Sequence, residues 1–146
     1  MRKKDKYKKS RFMKGKKTDK KEIFLVEDDE DIRRLLHYAF EKKGFSLITA
    51  SSVKEALHFF KNKKNEELPL LCIFDRILPD GDGLEVYHKL KHKFSDFPPS
   101  LFLTKLSAEH DVMAGLKEGA VDYITKPFSL TVLMEKALKL LKSKGK

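Results

Sequence analysis

Cysteine and long apolar runs are scarce in this chain of 146 residues, and both scarcities exclude classes of protein. Cys72 is the only cysteine, so no disulfide can form within the chain. Its place in an apolar run predicts a buried thiol in a reducing compartment. No segment approaches the roughly 20 apolar residues that span a bilayer, and no apolar segment follows the basic N-terminus as in a signal peptide. We therefore expect a cytoplasmic protein.

Acidic residues are nearly absent from residues 1–21, which hold twelve Lys or Arg and two Asp, whereas the rest of the chain balances its charges. Like charges at this density, with few apolar residues among them, predict a disordered arm. The arm is either a solubilising tail or a segment that binds nucleic acid or another anionic surface. We expect one folded domain over 22–142 and a short tail over 143–146.

Short apolar runs alternate with amphipathic segments from residue 22 onward. The runs predict five strands, over 22–26, 46–50, 70–74, 100–104 and 121–125. The segments predict five helices, over 32–40, 53–60, 84–93, 107–118 and from Ser129 onward. Strands that are apolar throughout are typical of a parallel sheet buried on both faces. The sequence therefore predicts an α/β fold with a doubly wound parallel sheet.

Several helix ends and faces carry their own signals. Gly44 occupies the position after a helix that glycine favours, and Ser52 with Glu55 forms the pattern of a capping box. The acidic residues 29–31 suit the first turn of a helix. The predicted apolar faces of the first and last helices are Ile32, Leu35, Leu36, Ala39 and Phe40, and Leu130, Leu133, Met134, Ala137, Leu138 and Leu141.

Polar side chains follow the strands at the edge where parallel sheets bind ligands. Glu27 and Asp28 follow the first strand, Asp75 the third and Lys126 the fifth, and Thr104 ends the fourth. A carboxylate at the end of an apolar run is costly unless it is paired or binds a metal. Converging carboxylates predict a hard divalent cation, Mg²⁺ or also Mn²⁺. With a hydroxyl and an ammonium beside them, they predict a site that accepts a phosphoryl group on Asp75.

Four stretches resemble the receiver domain of two-component response regulators, in the family's order and each at a strand end. They are "FLVEDDEDIRRLL", "FDRILPDGDGLEV", "LFLTK" and "AVDYITKPF", and the resemblance covers about residues 22–142. It implies a flavodoxin-like (βα)5 fold with strand order 2-1-3-4-5.

The resemblance also implies roles at the acidic end of the site. Asp75 matches the phospho-acceptor, Asp28 the direct Mg²⁺ ligand and Glu27 its acidic partner. Ile77 falls where the family offers a backbone carbonyl to the metal.

The remaining matched positions are those of the switch. Thr104 and Tyr123 match the switch pair, and Lys126 matches the lysine that binds the phosphoryl group. The bond between Lys126 and Pro127 resembles the family's cis peptide.

The function that the resemblance implies is a signalling switch. A sensor histidine kinase or a histidine phosphotransfer protein would load Asp75. The predicted fourth helix, fifth strand and fifth helix would then contact a separate downstream protein, unless the sequence is part of a longer chain. Such a protein is not an enzyme beyond its own phosphoryl transfer and dephosphorylation. The alternative is a module that binds nucleic acid or an anionic surface through the arm, with the receiver as regulator.

Two other functions fit the sequence less well. A phosphatase with an aspartyl nucleophile needs a second acid nearby, whereas Arg76 and Ile77 follow Asp75. The sequence Asp80-Gly81-Asp82-Gly83 predicts a tight turn, because an EF-hand would require Glu where Lys89 stands.

The entrance of the site departs from the family's pattern. Arg76 and Lys105 predict two extra cations at the entrance. Ile77 and Leu106 are apolar at positions that tune hydrolysis in the family. We therefore expect slow loading from small donors and a long-lived phospho-Asp75.

Overall fold

The computed structural model describes residues 21–105 and 121–144. Apart from Lys21, the predicted arm lies outside these ranges, as do the predicted helix over 107–118 and Leu106. The described strands are β1 (Glu22–Val26), β2 (Ser46–Ala50), β3 (Leu71–Asp75), β4 (Ile77–Leu78), β5 (Gly81–Asp82), β6 (Ser100–Thr104) and β7 (Val121–Thr125). The described helices are α1 (Glu30–Lys42), α2 (Val53–Phe60), α3 (Gly83–Lys93) and α4 (Leu130–Lys144), with a 3₁₀ turn at Asn65–Glu67.

Five of these strands form one parallel sheet in the order β2-β1-β3-β6-β7. Counting only the strands of this sheet, the order is 2-1-3-4-5, so the predicted fold is confirmed. The third strand begins and ends one residue later than the predicted 70–74. Asp75 pairs with Leu103, and the N–H of Arg76 donates to the carbonyl of Leu103 at 2.9 Å. The site carboxylate therefore stands on the end of a strand rather than in a loop.

The two faces of the sheet bury different kinds of side chain. Helices α2 and α3 cover one face, where the buried cluster is rich in aromatic residues: Phe24, Phe60, Phe74, Tyr87, Phe94, Phe97 and Phe102. Helices α1 and α4 cover the other face with a mostly aliphatic cluster that includes Ile23, Leu25, Leu36, Ile73, Leu103 and Leu133. Alternate residues of each strand point into opposite clusters, as a doubly wound sheet requires.

The predicted helix faces are correct except at two leucines. Leu35 is 41% exposed, because the buried stripe of α1 runs through Leu36, Ala39 and Phe40 and leaves Leu35 at its edge. In α4, Leu140 belongs to the core in place of Leu138, because it continues the helical spacing from Leu133 and Ala137.

The ends of α1 confirm their sequence signals. Asp29 is the N-cap, and its Oδ1 accepts from the N–H groups of Asp31 and Ile32. Gly44 has a φ of +90°, and a Schellman pattern closes the helix, with Gly44 N–H donating to Glu41 O and Phe45 N–H to Phe40 O, each at 3.0 Å.

The capping box of α2 is confirmed on one side only. Ser52 accepts from the N–H of Glu55 at 3.1 Å, but Glu55 accepts from the N–H and hydroxyl of Ser51 instead of returning to Ser52.

The residues predicted to form a tight turn also hold α2 in place. Strands β4 and β5 form a short antiparallel hairpin, and Asp80 between them accepts from the N–H groups of Val53 and Lys54 at 2.7 and 3.0 Å. These two hydrogen bonds lower the pKa of the Asp80 carboxyl. The loop after β3 is therefore anchored to the N-terminus of α2.

Candidate functional site

The carboxyl ends of β1 and β3 bring three acidic side chains together. Glu27 is fully buried, Asp75 is 3% exposed and Asp28 is exposed. One carboxylate oxygen from each lies within 4.8 Å of the others. Adjacent parallel strands end at the same edge, which is why residues 48 positions apart in the chain meet here. Such a set of oxygen donors fits a small, hard divalent cation.

Lys126 completes this cluster from the end of β7. Its ammonium lies 2.8 Å from Glu27 Oε1 and 3.2 Å from Asp75 Oδ2. Its backbone N–H donates to the carbonyl of Thr104 at 2.7 Å, and its bond to Pro127 is cis, as predicted. Lys126 therefore contacts two of the three carboxylates, and these four side chains together carry an excess of negative charge when all are ionised.

The titration of the buried pair reflects this excess. Burial raises the pKa of Glu27 from 4.5 to about 7, with the Asp75 charge adding to the increase and the contact with Lys126 opposing it. Burial alone would lower the pKa of Lys126, but the contact with Glu27 and the charges of Asp75 and Glu27 outweigh burial and raise it. The charged form of Lys126 is thus stabilised, while the charged form of Glu27 is disfavoured, so a cation at this site would compete with a proton on Glu27.

Backbone groups hold the carboxylates in position. Glu27 Oε2 accepts from the N–H of Asp29 at 3.0 Å, and Asp75 Oδ1 accepts from the N–H of Ile77 at 3.2 Å. The guanidinium of Arg33 donates to the carbonyl of Glu27 at 2.8 Å and so ties α1 to the end of β1. Arg33 could not be singled out from the sequence, because its role depends on how α1 lies against the end of β1.

The hydroxyl of Thr104 has no hydrogen-bond partner within residues 21–105 and 121–144 although it is buried. A buried hydroxyl without a partner costs free energy, so one in a native structure calls for an acceptor. Thr104 lies on β6, one residue beyond the pairing partner of Asp75. Tyr123 is half-buried at the edge of the aromatic cluster. The proposed roles of both residues remain predictions.

Gly83 is a second residue that sequence reasoning missed. It is the first residue of α3, and a Cβ there would lie 2.1 Å from the carbonyl oxygen of Asp75. A glycine is therefore needed for α3 to begin directly against the site. The only signal was the Asp-Gly-Asp-Gly run, which is also typical of a turn.

Arg76, which we expected as one of two extra cations at the entrance, has its charge paired with that of Asp82. The guanidinium forms two hydrogen bonds with Asp82, from Nε at 2.7 Å and from Nη2 at 2.8 Å. Burial would raise the pKa of Asp82, but the bonds from Arg76 and from the N–H of Leu84 lower it. Lys105 is exposed next to Thr104, so one extra cation remains near the entrance.

Comparison with known proteins agrees with this geometry. Residues 23–138 match the family model of the response regulator receiver domain. The chain therefore belongs to this family, and the resemblance seen in its sequence is confirmed. Response regulators are signalling proteins, and receiver domains bind Mg²⁺ at an acidic pocket of the kind that Glu27, Asp28 and Asp75 form here.

Relatives and solved structures point the same way. The alkaline phosphatase synthesis transcriptional regulatory protein PhoP of Bacillus subtilis is 44% identical over 75% of this chain and 43% of its own length. A CheY-like receiver domain protein from Methanospirillum hungatei has a TM-score of 0.74 at 27% identity, over 87% of this chain and 98% of that one. TrrA of Thermotoga maritima, solved in complex with Mg(2+)-BeF, has a TM-score of 0.67 at 31% identity, over 82% and 98%.

The chain spans about half the length of the curated relatives that it matches. Among the described residues, no helix is long and apolar enough to cross a membrane.

Proposed function

We propose that this protein is a phosphorylation-controlled switch in which Asp75 accepts a phosphoryl group from a phosphohistidine. The observation that carries the proposal is the convergence of three carboxylate oxygens with the Lys126 ammonium at the end of the sheet. In the transfer, a carboxylate oxygen of Asp75 forms a bond to phosphorus while the bond from phosphorus to the donor's imidazole nitrogen breaks. The imidazole leaves with its electron pair and takes a proton from solvent.

The residues around Asp75 fit the charges of that reaction. The Lys126 ammonium, 3.2 Å from Asp75 Oδ2, would pair with a phosphoryl oxygen. The Thr104 hydroxyl, which has no partner among the residues that the structure describes, would donate to another. Glu27, Asp28, Asp75 and the carbonyl of Ile77 would hold Mg²⁺, or Mn²⁺ in its place. When bound, the ion neutralises charge on the phosphoryl oxygens.

The same contacts suggest how the signal leaves the site. Thr104 would be drawn to the phosphoryl group, and Tyr123 would turn into the space beside it. Because β7 is an edge strand of the sheet and packs against α4, a movement of Tyr123 would alter the surface that β7 presents beside α4, together with the predicted helix over 107–118. We propose that a sensor histidine kinase or phosphotransfer protein supplies the group and that a downstream protein reads this surface.

Phosphorylation with acetyl phosphate and Mg²⁺ tests the proposal. Intact mass spectrometry should show one added phosphoryl group on the wild type and on Asp31→Asn, which makes the same chemical change at an exposed carboxylate. Asp75→Asn should add none. An Asp75→Asn protein that gains the group as fast as the wild type would overturn the assignment. Steady release of many equivalents of phosphate per protein would instead indicate a phosphatase.

The basic segment over 1–21 supports a second function, binding to nucleic acid or an anionic surface, because it concentrates twelve cations. Binding to duplex DNA by this segment should weaken with salt by a log–log slope of about −0.9 for each phosphate neutralised. A version of the protein that lacks residues 1–21 should then lose the binding. Salt-independent binding would leave the segment without this role.

A further inference from the structure

The ion pair between Arg76 and Asp82 is far more enclosed than an ordinary surface pair. Its side chains are 12% and 36% exposed, and two parallel hydrogen bonds join them. The pair between Arg34 and Glu30 on α1 has a single contact of 2.9 Å and side chains that are 74% and 64% exposed. A planar guanidinium held by both carboxylate oxygens fixes orientation as well as distance.

This pair joins three elements around the site. The backbone of Arg76 donates to Leu103 on β6 and accepts from the N–H of Gly83 at 3.2 Å. Asp82 Oδ1 accepts from the N–H of Leu84 at 2.8 Å in the first turn of α3, in addition to binding Arg76. The end of β3, the hairpin and the start of α3 are thus tied at one point.

The segment held by this pair contains Ile77. Its N–H donates to Asp75 Oδ1 at 3.2 Å, and it pairs with Asp82 across the hairpin. The peptide groups on both sides of Ile77 therefore depend on the closure of the hairpin by Arg76 and Asp82.

We propose that Arg76 is a positioning residue, which through Asp82 holds the Ile77 segment and the Asp75 carboxylate in the arrangement that Mg²⁺ binding requires. This inference rests on the proposed function. Partners that orient metal ligands typically contribute about 10- to 100-fold to metal affinity. Loss of the Arg76 pair should therefore weaken Mg²⁺ binding at least about tenfold.

If only the charge of Arg76 mattered, its removal would have the opposite effect on Mg²⁺ affinity. Arg76 is a cation near a site with three carboxylates, so its removal would strengthen Mg²⁺ binding if only its charge mattered. Replacement by Lys would then change little, because the charge remains. If positioning matters, Lys also weakens binding, because an ammonium cannot reproduce the planar two-point contact.

Isothermal titration calorimetry with Mg²⁺ distinguishes these cases. We expect dissociation constants at least about tenfold higher for Arg76→Ala and Arg76→Lys. The control Arg34→Ala, which breaks the exposed pair, should stay within about twofold of the wild type. In an Asp82→Ala background, Arg76→Ala should add less than about threefold, since the two residues act together.

Several outcomes would overturn the inference. One is that Arg76→Ala or Arg76→Lys binds Mg²⁺ as tightly as the wild type. Another is that Arg76→Ala still weakens Mg²⁺ binding tenfold when it is added to Asp82→Ala. If Arg76→Ala does not fold, as judged by circular dichroism, Arg76→Lys decides the question. A folded wild type that fails to bind Mg²⁺ would overturn the proposed function together with this inference, whereas wild-type binding with unaffected Arg76 variants would remove the inference alone.

Discussion

The core of the sheet buries apolar side chains, whereas its carboxyl edge buries charged ones. In the core, apolar side chains such as Phe24 and Phe60 are fully buried and pack against one another at ring distances of 4.9 Å. At the edge, Glu27 and Asp75 are almost as deeply buried, yet they repel each other and share one ammonium. We expect the core to stabilise the fold, and we expect the burial of carboxylates at the edge to cost free energy in the absence of a ligand. Changes in the two regions should therefore separate stability from binding.

Removal of a core ring should have the largest effect on stability. Phe60 contacts the rings of Phe24, Phe59 and Phe97 and is fully buried. Phe60→Ala should lower the free energy of unfolding by about 3–5 kcal/mol, through lost burial and the cavity left behind. Urea denaturation measures this change. The folded fraction should retain wild-type Mg²⁺ affinity, and a large loss of affinity would show that the two regions are not separable.

The raised pKa of Glu27 predicts that the stability of the fold depends on pH. Its pKa is about 7 in the folded protein against 4.5 as the ordinary value, so the folded state binds its proton more tightly. The stability that this group contributes is complete below about pH 4.5 and is lost as the pH rises through 7. Without metal, the free energy of unfolding should therefore fall as the pH rises from about 4.5 through 7.

Urea denaturation without metal between pH 5 and 8 measures this effect. Glu27→Gln serves as the reference, because it cannot titrate. The free energy of unfolding of the wild type, relative to that of Glu27→Gln, should decrease as the pH rises. A difference that does not vary with pH would contradict the raised pKa.

Addition of Mg²⁺ should offset the free energy lost by burying the carboxylates at the edge of the sheet. Only the folded chain assembles the ligands, so the ion stabilises by about 2.7 kcal/mol at a concentration of 100 times its dissociation constant. Asp28→Ala should lose most of this gain, while Asp31→Ala, at an exposed acid of the α1 N-terminus, should keep it. Melting curves across a millimolar titration provide the measurement, and an unchanged wild-type melting temperature would contradict the prediction.

Gly83 tests how closely the two regions meet. Its Cβ would lie 2.1 Å from the Asp75 carbonyl oxygen, so Gly83→Ala should move α3 or β3 and cost about 2 kcal/mol. It should also weaken Mg²⁺ binding. Gly44→Ala is the matched control: nothing lies within 4 Å of its Cβ, so it should lose about 1 kcal/mol for its positive φ and keep Mg²⁺ affinity. Equal Mg²⁺ affinities in the two variants would argue against the close approach.

The sequence predicts both the sheet and the polar residues at its edge. Apolar runs and helical spacing predict the sheet, because burial on both faces leaves a continuous pattern. The polar residues Glu27, Asp28, Asp75, Thr104 and Lys126 stand out at the strand ends for the same reason.

The contacts between the strands, the hairpin and α3 cannot be predicted from apolar runs and helical spacing. The sequence shows Arg76 next to Asp75 but not the partner of its long side chain, which is Asp82. The close contact of Gly83 with Asp75 depends on how α3 crosses the end of β3, a tertiary property that no local spacing encodes.

Mapping the modified residue tests most directly whether Asp75 is the phospho-acceptor at this edge. The wild-type protein is phosphorylated with acetyl phosphate in Mg²⁺, the acyl phosphate is reduced with borohydride, and the peptides are sequenced by mass spectrometry. We expect reduction at Asp75 alone, and none in a sample prepared without Mg²⁺. Reduction at Asp28 or at any other carboxylate in place of Asp75 would contradict it.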